Sequence, residues 1–78
     1  MEENFKDPVT AAFYRHFRGK MDAGELEWRD LMLAYSKSRR WLYNWFYGMR
    51  SGHQSVTIDQ LLVARDEFRV DVGKWFKQ

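Results

Sequence analysis

Cysteine is absent from the 78-residue chain, so neither a disulfide nor a thiolate metal site can brace the fold. No apolar run is longer than a few residues, so no segment is expected to span a bilayer. The opening Met-Glu-Glu-Asn is acidic and lacks the apolar stretch of a signal peptide, which makes the cytoplasm the expected location. There is no Gly-rich phosphate loop and no nucleophile motif. His16 and His53 lie far apart and have no cysteine partner, so no metal and no cofactor are expected. Nothing in the sequence places Glu25 with Glu27, or Asp66 with Glu67, in a cleft where two carboxyl groups could share a proton. The expectation is a protein that is not an enzyme. A chain this short buries only roughly 60% of its unfolded surface, which leaves room for one core. We read residues 1–7 as an N-terminal extension and 8–78 as a single domain.

Aromatic residues supply that core. Four Trp, four Tyr and six Phe make up 18% of the chain, far more than a disordered segment carries. The net charge of +2 is unevenly spread. Residues 36–56 hold Lys37, Arg39, Arg40 and Arg50 with no acid, whereas acids outnumber bases before them and balance them after. Trp41, Tyr43, Trp45, Phe46 and Tyr47 fall in the same stretch. Cations interleaved with flat polar groups suit a nucleic-acid surface, although a cluster of cations alone equally describes a solvated helix face.

The spacing of apolar residues predicts five short helices. Asp7-Pro8 is a start signal, because Asp accepts orphan N–H bonds and Pro is pre-set for the first helical position. Val9, Ala12, Phe13, His16 and Phe17 follow at helical intervals, and this first helix is expected to reach about Lys20. A second, from about Leu26 to Tyr35, offers Trp28, Leu31, Met32 and Tyr35. Ser38 is the N-cap expected for a third, through Leu42 and Trp45, ending at Gly48. Met49 to Val56 reads as an exposed loop. Thr57-Ile58-Asp59-Gln60 has capping-box spacing and opens a fourth helix with Ile58, Leu61, Leu62, Arg65 and Phe68. Asp71 caps a fifth that returns Val72, Trp75 and Phe76 to the core. Only Gln54 to Ile58 weakly suggests a strand. The link Ser36-Lys37 is too short for antiparallel helices and favours the steep crossing of a helix-turn-helix.

Leu31, Ser38, Leu42, Trp45 and Gly48 together resemble the phage-repressor helix-turn-helix family, the Cro and lambda-repressor-like or xenobiotic-response-element type. Thr57-Ile58-Asp59-Gln60-Leu61-Leu62 and Phe68-Arg69-Val70-Asp71-Val72-Gly73-Lys74-Trp75-Phe76 are similar to its fourth helix and closing segment. The resemblance covers about Leu26 to Phe76. Met32, Ser36 and Lys37 depart from the Ala, Gly and apolar residue usual there, which implies a wider crossing of the two helices. The resemblance implies an all-α, compact, five-helix lambda-repressor-like domain. It also implies a bacterial or phage-encoded, nucleoid-associated repressor that binds double-stranded DNA, as a homodimer on a palindromic site.

With Leu42 and Trp45 inward, helical geometry turns Arg39, Arg40, Tyr43, Asn44 and Tyr47 outward. Arg can take guanine and Asn adenine bidentately in a major groove. Arg40, Tyr43, Asn44 and Tyr47 are therefore the expected base contacts of a recognition helix over about 38–48. Lys37, Ser38, Arg39, Arg50, Ser55 and Thr57 are the expected phosphate contacts, the last two because the resemblance puts that loop along the backbone. The competing expectation is a protein-interaction module on the same scaffold, antitoxin-like or anti-repressor, using Trp41, Phe46 and Tyr47 as anchors. Trp41 and Phe46 could equally serve the core.

Overall fold

The computed structural model describes residues 3–77. Met1 and Glu2, part of the expected extension, and Gln78, the last residue of the expected domain, lie outside the described residues. The fold is all-helical: α1 spans Pro8–Asp22, α2 Trp28–Tyr35, α3 Arg39–Arg50 and α4 Ile58–Phe68, followed by a 3-10 helix over Val72–Lys77. No strand occurs among the described residues, Gln54 to Ile58 included. The Cα radius of gyration is 11.8 Å, close to the roughly 11.5 Å expected for a compact domain of this length.

The starts of the helices follow local chemistry. Asp7 caps α1 by accepting from the Thr10 N–H at 2.7 Å, with Pro8 at the first helical position. Ser38 caps α3 by accepting from the Trp41 N–H at 3.1 Å. Thr57 and Gln60 form a reciprocal capping box on α4, at 3.2 and 2.8 Å. The opening of α2 differs from the sequence reading. Glu27 is its cap, and the Asp30 carboxylate reaches back to accept from the Glu27 N–H at 2.9 Å.

The helix ends depart furthest from what the spacing predicts. Helix α1 continues past Lys20 to Asp22. Helix α3 does not stop at Gly48 but runs on to Arg50, because Met49 continues the apolar stripe and is fully buried. The left-handed turn comes later, at Gly52 with φ +85°. The loop is therefore shorter than 49–56, and Val56 at its end is half-buried. The expected fifth α-helix is a 3-10 helix. Its period of three residues per turn points Val72 and Trp75 inward and leaves Phe76 55% exposed, against the expectation that Phe76 joins the core. In α4, Leu61 and Ala64 face inward, while Ile58 is 62% exposed.

Phe13, fully buried, is the centre of the core. Its ring meets those of Phe17, Trp45, Phe46 and Trp75 at centroid separations of 4.7 to 6.2 Å, all tilted or edge-on. Such geometries match the positive edge of one ring to the negative face of another. Leu31, Leu42 and Met49 are fully buried beside them. His16 lies edge-on to Phe17 and against Trp75; burial first, then the charges of Lys20 and Lys74, lower its pKa. Tyr35 leans on Trp45 and donates its hydroxyl to the Gln60 carbonyl at 2.8 Å, tying α2 to α4. Burial pushes its phenol pKa up.

The described part of the extension is bound to the domain. The Asn4 N–H donates to the Arg50 carbonyl at 2.8 Å, Phe5 packs on Tyr14, and Glu3 pairs with Arg15 at 2.9 Å.

Candidate functional site

Helix α3 has two chemically distinct sides. Leu42, Trp45, Phe46 and Met49 are between 0 and 3% exposed and lock one side to the core. Arg39, Arg40, Tyr43, Asn44 and Tyr47 are all exposed on the other. The reason is periodicity: at about 100° per residue, positions 40, 44 and 47 fall opposite 42, 45, 46 and 49. The side chains of Arg39, Arg40 and Asn44 have no hydrogen bond or ion pair to any described residue, so two cations and a carboxamide stand in water without an intramolecular task.

The flanks are more committed. The Tyr43 ring leans on Trp28 of α2 at 6.1 Å. The Lys37 ammonium sits 4.8 Å over the ring of Trp41, itself 36% exposed and packed on Trp45. The Arg50 guanidinium lies 5.9 Å from the Tyr47 ring centroid, and Arg50 is half-buried. Phe46 is 3% exposed, so of its two sequence readings the core one is correct, and it cannot anchor a partner. Ser38 and Thr57 spend their oxygens on caps.

Ser55 has a task that sequence spacing could not reveal. Its hydroxyl donates to the Asp7 carboxylate at 2.8 Å, 48 residues away. The same carboxylate accepts from the Thr10 hydroxyl at 3.0 Å and from the Thr10 N–H. Burial pushes the Asp7 pKa up, but these hydrogen bonds and one from the Val9 N–H outweigh it and leave the pKa lowered. An ionised carboxylate beside Ser55 makes that hydroxyl an unfavourable place for a phosphate, against the expectation from the resemblance.

Two contributions to this surface were missed in the sequence. Arg18 and Arg29 join Arg39 around an open groove of about 510 Å³ that Trp28 and Met32 also border. Arg18 is partly engaged, 3.9 Å from the Asp22 carboxylate and 5.8 Å from the centroid of Trp28. Helical phase within α1 and α2 says nothing about which neighbouring helix each arginine meets. The second is Gln54, whose side chain lies against Gly48. Its signal was the glycine itself, read as a helix end when it is a contact surface.

Among the described residues no three potential metal-binding side chains gather, and no helix is long and apolar enough to cross a membrane. Comparison with known protein families, with characterised proteins and with solved structures finds no match to this chain.

Proposed function

We propose that the chain is a sequence-specific double-stranded DNA-binding regulator of repressor type. In this reading α2, Ser36 to Ser38 and α3 form a helix-turn-helix within a lambda-repressor-like domain, and α3 enters the major groove. The observation that carries it is the outward, unpaired state of Arg39, Arg40 and Asn44 on a helix anchored by its opposite side. Rigid anchoring matters because base readout requires donors held at fixed spacing. Arg40 and Asn44 are the base-reading pair; Tyr43 and Tyr47 border them. Lys37, Arg39 and Arg50 supply backbone charge, together with the α3 N-terminus, whose dipole attracts anions. One domain offers few base contacts, so two copies on half-sites about 34 Å apart would multiply the selectivity.

The interaction-module reading retains Trp41 and Tyr47, both exposed on α3, but loses Phe46 to the core. Electrophoretic retardation of random duplex at low salt separates the two. The DNA reading expects a retarded complex whose affinity falls steeply with salt, as counterions are released from phosphates. A duplex left unshifted, or an affinity indifferent to salt, overturns it in favour of a protein partner.

A further inference from the structure

We propose that Gln54, on the loop after α3, reads a base edge beside Asn44; this rests on the DNA-binding reading above. Asn44 and Gly48 are four residues apart, which places them on the same side of α3 and one turn, about 5.4 Å, from each other. Gly48 has no side chain, and the carboxamide of Gln54 occupies the space one would fill. A Cβ on Gly48 would lie 2.5 Å from Gln54 Nε2 and 3.0 Å from its Cδ. The main chain there is fixed as well, because the His53 and Gln54 N–H groups both donate to the Gly48 carbonyl, at 2.9 and 3.1 Å. Only side-chain torsions remain free to aim the amide.

Gln54 is exposed as a residue, and its side-chain amide forms no hydrogen bond with any described residue. Asn and Gln share one recognition chemistry, a donor and an acceptor that match adenine N6 and N7. Two such groups about one helical turn apart meet bases one or two steps apart, since stacked bases of one strand are separated by about 3.4 Å. The preferred site is thus expected to carry adenine at two closely spaced positions, one read from within α3 and one from its trailing loop.

Selection of bound sequences from a random duplex pool tests this with the full chain, Gln54→Ala, Gly48→Ala and Asn44→Ala, each checked for an unchanged circular dichroism spectrum. Gln54→Ala is expected to lose preference at one position, with discrimination there falling roughly tenfold, while the position read by Asn44 keeps its own. Gly48→Ala, which pushes the amide aside while retaining Gln54, is expected to relax that same position. A Gln54→Ala profile identical to that of the unaltered chain overturns the proposal. So does an equal weakening on every sequence, the mark of a phosphate contact. If the unaltered chain binds duplex but selects no sequence, Gln54 and Asn44 read nothing and the proposal fails. If it binds no duplex at all, the DNA-binding reading fails with it.

Discussion

The Thr10 hydroxyl accepts the backbone N–H of Val56 at 3.0 Å and donates its own proton to Asp7 at 3.0 Å, joining the start of α1 to the loop before α4 across 46 residues. Thr10 is fully buried, so no water can replace either bond. Thr10→Val keeps the shape and removes both, leaving a donor without an acceptor. The expected loss is about 1–3 kcal/mol in urea unfolding, with Thr10→Ser recovering most of it. An unchanged midpoint in Thr10→Val would show that the link contributes nothing.

Acid should loosen the fold in two steps. His16 has a lowered pKa in the folded chain, so the unfolded chain takes up its proton first and stability begins to fall below about pH 6.5. Asp7 is also lowered. Its contribution is complete above about pH 4 and disappears as pH falls through the folded value. Thermal melts from pH 7 to 2 check both, and Asp7→Asn is expected to flatten only the lower step.

Gly52 and Gly24 form a matched pair of controls. Both hold positive φ, +85° and +76°, where any other residue costs roughly 1–2 kcal/mol. A Cβ on Gly24 meets open space, whereas one on Gly52 collides with the Asn4 carbonyl oxygen. Gly52→Ala is therefore expected to lower the urea midpoint more than Gly24→Ala. Equal losses would mean that the N-terminal segment yields without cost.

Trp45 is 2% exposed, and its indole Nε1 has no hydrogen-bond partner among the described residues. Such a buried donor costs about 1–3 kcal/mol. Trp45→Phe removes that cost while opening a cavity, so the two effects are expected to offset to within about 1.5 kcal/mol. Trp75→Phe, at a site whose indole N–H is not a fully buried unpaired donor, should lose more in the same urea titration.

Arg40→Ala is expected to weaken binding to the preferred duplex by roughly 1–3 kcal/mol and to relax one base position. Arg39→Ala should instead weaken all sequences alike and reduce the salt slope by about one. Competition titrations at two salt concentrations distinguish these patterns.

The elements were legible where the signal is local. Asp7, Ser38 and Thr57 cap as their spacing suggested. The intervals of Phe13, Phe17, Leu42 and Trp45 located the core, and with it the outward side of α3. What stayed hidden depends on contacts distant in sequence. Whether Gly48 ends a helix or lies inside one is decided by the burial of Met49. The Ser55 hydroxyl looks free until Asp7 is brought beside it. Val72–Lys77 has helical spacing in either period, and only its hydrogen bonds distinguish 3-10 from α. The outward residues of α3 were read as a set because one helix carries them all; Arg18, Arg29 and Gln54 reach that surface from other segments.

The position of Trp41 has a practical consequence. Its ring lies at the solvent boundary, next in sequence to Arg40, under the Lys37 ammonium and against the sheltered indole of Trp45. A duplex that engages Lys37 together with Arg40 is expected to change the polarity around that ring. The chain thus carries its own optical reporter: a shift or quenching of tryptophan emission on titration would register occupancy without a label, and Trp41→Phe would leave only the share of the signal that Trp28, beside Tyr43, contributes.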